Sequence, residues 1–65
     1  MVNKANFFLE RKITVHISIE GYFYNGLIIE IVGDDFLIIN DRMLGETPVY
    51  FSQINTIERF REVEK

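Results

Sequence analysis

The sequence contains no cysteine, one proline, one histidine and four glycines in 65 residues. Without cysteine there is no disulfide framework and no thiolate metal site. His16, alone, lacks the further ligands a metal needs and the partner a nucleophilic site needs, so it reads as a surface or hydrogen-bonded histidine. No Ser-His-Asp order, glycine-rich phosphate loop or paired-acid spacing is present, so the sequence offers no support for an enzyme or a cofactor. No apolar run approaches the ~20 residues of a membrane span. The start, Met-Val-Asn-Lys-Ala-Asn, shows no targeting segment, and Glu10, Arg11 and Lys12 follow soon after. The expectation is a soluble, cytoplasmic protein with no membrane partner and no small-molecule substrate.

Positive charge is scarce through the middle of the chain. Residues 1–12 set Lys4, Arg11 and Lys12 against Glu10, whereas residues 13–58 hold seven acids against Arg42 alone, within a net charge of −3. A dedicated duplex-binding protein needs a basic face, because phosphate neutralisation supplies most of its affinity. Residues 59–65 return to +1, and the neighbourhood of the N-terminus leaves room for a local basic patch.

What the sequence does have is apolar residues, 48% of the total, enough for one small core. At 65 residues a single domain is near the lower limit for independent folding. Such domains usually carry a staple, and with disulfides and metal thiolates excluded, oligomerisation is the one that remains.

Residues 3–11 read as a short helix, with Asn3 as N-cap and Ala5, Phe8 and Leu9 on one face. In "ITVHISI", 13–19, Ile13, Val15, Ile17 and Ile19 alternate with Thr14, His16 and Ser18, the two-residue period of a half-buried strand. Glu20-Gly21 is a tight turn. "YFYNGLIIEIV", 22–32, is a long strand whose apolar parity changes between Gly26 and Ile29, which predicts a bulge or sharp bend. After the Gly33-Asp34-Asp35 turn, "FLIIN", 36–40, is apolar on both faces and reads as central. Asp41 to Gly45 forms the next reversal. "TPVYF", 47–51, and "INTIERF", 54–60, are the last two strands, separated by Ser52-Gln53, and 61–65 is a polar, frayed tail. A helix followed by five short antiparallel strands, one strongly bent, predicts an all-β fold closed into a small barrel.

This pattern, over about residues 5–60, resembles the Sm-like proteins, including their Hfq branch. Gly26 with Ile28, Ile31, Leu37 and Ile39 looks like the glycine-centred bent strand of the first Sm motif. "VYFSQINTI", 49–57, looks like the last-strand segment of Hfq, with Val49, Tyr50, Ile54, Thr56 and Ile57 in matching places. The Glu20-Gly21 turn is one residue shorter than is usual in that family. The resemblance implies a bent SH3-like or Sm-like barrel in a homo-oligomeric ring of six or seven subunits. In such rings the fourth strand of one copy pairs with the fifth of the next, and uridine-rich single-stranded RNA binds around the pore. Closing two apolar strand edges against identical neighbours is physically sensible, because open edges invite aggregation. At the family's RNA contacts this sequence differs. Val32 stands where an aspartate is usual, Phe36 where an asparagine is usual, and Phe51 and Ser52 where Hfq has a lysine-histidine pair. The Arg-Gly pair of the other Sm branch is absent.

Single-stranded RNA is held by stacking, base-edge hydrogen bonds and backbone cations. Phe36, Tyr50 and Phe51 are candidate stacking surfaces, and Lys4, Arg11 and Lys12 candidate cations on the helix. The plainer reading makes the aromatics core or subunit-interface residues and leaves the cations solvated. Val49, Tyr50, Phe51, Ile57 and Phe60 are the candidate subunit contacts. Asp34, Asp35 and Asp41 flank the central strand; a shared divalent cation is one use for them, and strand-terminating turns the commoner one. The Met43-Leu44 pair in "DRMLGE", 41–46, either projects as a contact loop or folds back on the barrel. The expected function is a single-stranded RNA-binding ring. The alternative is a protein-interaction barrel of the same fold that does not bind RNA.

Overall fold

A computed structural model describes residues 1–61. A helix, α1 (Val2–Arg11), precedes five strands, β1 (Val15–Ile19), β2 (Tyr22–Val32), β3 (Phe36–Asp41), β4 (Gly45–Tyr50) and β5 (Ile54–Arg59), with a 3-10 turn at Phe51–Gln53 between the last two. All strand pairs are antiparallel, in the order β4-β3-β2-β1-β5. No helix among the described residues is long and apolar enough to cross a membrane.

The helix starts one residue earlier than its composition predicts. The Ala5 N–H donates to the Met1 carbonyl, making Met1 the N-cap with no side-chain cap, and Asn3 lies exposed in the first turn. Asn6 donates from Nδ2 to the Val2 carbonyl one turn back at 3.2 Å. At the other end Lys12 adopts a left-handed conformation (φ 55°), and the N–H groups of Lys12 and Ile13 return to the carbonyls of Leu9 and Phe8. This satisfies carbonyls that a helix end leaves orphaned. Ala5 and Phe8 are buried and attach the helix to the sheet.

β1 is shorter than its alternation predicts. Ile13 packs partly buried against the core, while the Thr14 carbonyl accepts the N–H of Phe60 at 2.9 Å, outside the ladder. β2 spans the residues its sequence predicts, and it bends. Its first half pairs with β1, from Tyr22↔Ile19 to Gly26↔Val15; its second half pairs with β3, from Gly26↔Asp41 to Val32↔Phe36. The β2–β3 register shifts between Ile28 and Glu30. That bulge accounts for the parity change: Ile28 is buried, Ile29 is pushed outward, and Ile31 again packs against the core. Gly26 lies at the bend, in both ladders, and a Cβ there would sit 2.0 Å from the Asn40 carbonyl oxygen. Only glycine lets the two strands approach so closely.

A second register shift, opposite Ser18 and Ile19, lets Ile54 and Ile57 both face inward although they are three residues apart. Phe51 belongs to the 3-10 turn rather than to β4, and β4 begins at Gly45 instead of Thr47. Its start is fixed by the pairing of Gly45 with Asp41. Pro48 sits in an edge strand, where proline is tolerated. The core is built from Val15, Ile17, Ile28, Leu37, Ile39, Val49, Ile54 and Ile57, with Ala5 and Phe8 from the helix. Each fully buried aliphatic side chain of this kind contributes about 1.5–3 kcal/mol. Of the tail assigned to 61–65, Arg61 is exposed and the rest lies outside the described residues.

Candidate interaction surfaces

Asp41 is the one buried charged residue among those described, 6% exposed at the end of β3. Its Oδ1 accepts the Asn25 N–H at 2.9 Å, and its Oδ2 accepts the N–H groups of Met43 (2.9 Å) and Leu44 (3.0 Å). Burial alone pushes the carboxyl pKa up, but the three donors outweigh it and hold the group below the ordinary carboxylate range. The same side chain thus ties the β3–β4 turn together and ties that turn to β2. A further bond, from the Arg42 N–H to the Asn25 carbonyl at 2.9 Å, doubles the link. Gly45 closes the turn with φ 79°, a conformation a side chain would strain. Held this way, Met43 and Leu44 project into solvent, 87% and 59% exposed. Of the two readings of that pair, projection is the one observed.

Asp34 and Asp35 share none of this. Both are exposed in the turn before β3, a strand's length from Asp41, or about 20 Å at ~3.3 Å per residue. No group of three His, Cys, Asp or Glu side chains among the described residues converges as a metal site would require. His16 faces outward on β1 with its Nδ1 2.7 Å from the Asn25 Oδ1, and its ring lies 5.1 Å from that of Phe23. Its cross-strand neighbour on β5 is Glu58.

The residues singled out from the sequence separate into inward and outward groups. Val49 and Ile57 point into the core and are almost fully buried, so their side chains are not on any outer surface. Phe51 is half-buried and packs against the core, its N–H donating to the Asp35 carbonyl at 2.9 Å. Phe36 and Tyr50 form an edge-to-face pair across the β3–β4 ladder, centroids 5.5 Å apart, with Tyr50 half exposed. Phe60 is half-buried under the Arg42 guanidinium, whose Cζ lies 4.5 Å from the ring centre. Lys4, Arg11 and Lys12 are all exposed, and Arg11 stacks on Phe7 at 4.4 Å. β4 and β5 are the two margins of the sheet, each hydrogen-bonded to a neighbour on one side only.

Two features went unread in the sequence. The first is the placement of Arg42. The only cation of the acidic middle segment, Arg42, leans on Phe60, eighteen residues further along the chain. The second is a groove of about 380 Å³ lined by Tyr22, Phe23, Asn25, Asp41, Arg42 and Met43. Its signal was present in part: Tyr24, Gly26 and Ile28 share the inward parity of β2, which places Phe23 on the outward face beside His16 and Asn25. What parity does not reveal is that Met43 arrives across from another turn.

Comparison with protein-family models, with curated proteins and with solved structures returned no match.

Proposed function

We propose that this chain is a non-catalytic, self-assembling barrel of Sm-like type, whose copies join edge to edge, β4 of one against β5 of the next, into a closed ring. One observation carries the reading: β4 and β5 are consecutive in the chain yet lie at opposite margins of the sheet, with only Phe51–Gln53 between them. Laid flat, five strands would separate those margins by about 19 Å at ~4.8 Å per strand. A three-residue 3-10 turn covers only about 6 Å. The connection therefore favours a sheet curled into an incomplete barrel, with two open margins that identical neighbours can satisfy. The resemblance to Sm-like proteins supplies the expected count of six or seven. Light scattering on the full chain over a range of concentrations tests the proposal. A mass of several chains that persists on dilution is expected, and a stable monomer overturns it.

The ring's role is to hold other proteins together. Asp34, Asp35 and Glu20 occupy turns with no cation beside them in the sequence, an unfavourable setting for phosphates. The second reading, single-stranded RNA, is favoured by the exposed Lys4, Arg11 and Lys12 on one helix and by the exposed ring of Tyr50 against Phe36. Titration with oligo-uridine and oligo-adenine separates the two. Binding that weakens steeply with salt identifies an RNA ring, whereas an intact ring that binds neither at low ionic strength identifies a protein scaffold.

A further inference from the structure

We propose that the groove between the start of β2 and the β3–β4 turn is a docking site for a partner-protein segment that carries a bulky apolar side chain next to a carboxylate. None of the described residues lining the groove belongs to β4 or β5, and its test does not depend on ring formation.

The walls are tied to one another before any ligand arrives. Asn25 on one wall donates to Asp41 and accepts from Arg42, while Met43 on the other is held by its own N–H bond to Asp41. A pre-ordered site loses little conformational entropy on binding. Within it the apolar surface is contiguous and open: Tyr22 is 48% exposed, Phe23 53% and Met43 87%. Single exposed apolar residues are ordinary, but rings and a methionine lining one cleft are the composition of a binding site. Tyr22 and Phe23 stack on each other with centroids 6.0 Å apart, and His16 backs Phe23, so the rings have a defined orientation.

The polar chemistry of the cleft is one-sided. Among the described residues its only carboxylate is Asp41, both of whose oxygens are occupied by backbone donors. Asn25 spends its side-chain oxygen on His16 and so presents its amide N–H groups. The Arg42 guanidinium rests 4.5 Å from the centre of the Phe60 ring, and a guanidinium can fork its N–H groups onto a carboxylate. The groove thus offers donors and one positive charge beside aromatic surface. Its complement is an apolar group with an anionic acceptor. A nucleic-acid strand matches less well, since its affinity grows with repeated phosphate–cation contacts and, among the described residues, a single cation lines this groove on a chain of net charge −3.

The test is an amide-resolved NMR titration of the full chain with the capped hexapeptide Gly-Leu-Phe-Asp-Glu-Gly. Shifts confined to the amides around Phe23, Asn25, Arg42 and Met43 are expected. The same peptide with Asn and Gln in place of its two acids should bind about tenfold more weakly, as should the Arg42→Gln protein, given the strength of a charge-assisted contact. Phe23→Ser should abolish the shifts. No shift at millimolar peptide overturns the proposal, and so does equal binding of the neutral peptide, which requires no change to the protein. Oligo-uridine moving the same amides at lower concentration than the acidic peptide also overturns it.

Discussion

The two turns that bracket β3 are both built on aspartate, and they work in opposite ways. Before the strand, Asp34 and Asp35 stand in water, and their turn is closed by backbone groups alone: the Asp35 N–H donates to the Val32 carbonyl at 3.1 Å, and the Asp35 carbonyl accepts from Phe51. After the strand, the Asp41 carboxylate is turned inward and replaces those backbone contacts with three of its own. Aspartate and glycine occur at both ends, but removal from water makes one carboxylate structural and leaves the others as solubilising charge. The difference also explains why the second turn can carry Met43 and Leu44 outward. Its own side-chain bonds, rather than apolar contacts, hold it in place.

The comparison can be broken most severely at Gly26, which pairs with Asp41 and lets β3 lie close enough for the Asn25–Asp41 bond. In Gly26→Ala the new Cβ meets the backbone oxygen of Asn40, so the strands must separate. A loss of more than about 3 kcal/mol in denaturant unfolding, or failure to fold, is expected. Removing the buried carboxylate directly comes next. Asp41→Ala leaves three backbone donors without their acceptor and should cost about 2–3 kcal/mol, whereas Asp34→Ala and Asp35→Ala should each stay within about 0.5 kcal/mol.

Acid sharpens the same contrast. Because the folded-state pKa of Asp41 lies below its unfolded value, its contribution is fully present above the ordinary aspartate range near ~4. It is lost as pH falls through the lowered folded value. Unfolding midpoints measured between pH 6 and pH 2 should decline less steeply in Asp41→Asn than in the wild-type chain. The smallest effect is at the helix end, where the left-handed Lys12 is held by backbone bonds and no side chain does the work of Asp41. Lys12→Gly removes the steric cost of that conformation and should raise stability by about 0.5–1 kcal/mol, read as a higher denaturation midpoint.

Much of this architecture was readable residue by residue. β2 has the limits its apolar run predicts, and the bulge falls in the window where the parity of its isoleucines changes. The misreadings lie at ends. Asn3 has the chemistry of an N-cap, but the Ala5 N–H reaches Met1 and starts the helix earlier. Phe51 looked like the last residue of a strand, yet its N–H is claimed by Asp35, sixteen residues away, and the chain turns there. The interaction surfaces were less legible for the same reason. Val49 and Ile57 read as strand residues, and only packing decides that their side chains serve this chain's own core. Arg42 and Phe60, eighteen positions apart, carry no mutual signal in the sequence.

The sequence by itself determined the strand set, the bend and the position of the indispensable glycine. These follow from a two-residue period and from steric limits that act between near neighbours along the chain. Only the tertiary structure decided which aspartate leaves the solvent, where the lone mid-chain arginine rests, and that Phe23 and Met43 share a cleft. Burial and proximity depend on which distant segment crosses overhead, and a carboxylate's role changes from solvated charge to structural acceptor once backbone N–H groups from another strand replace its water.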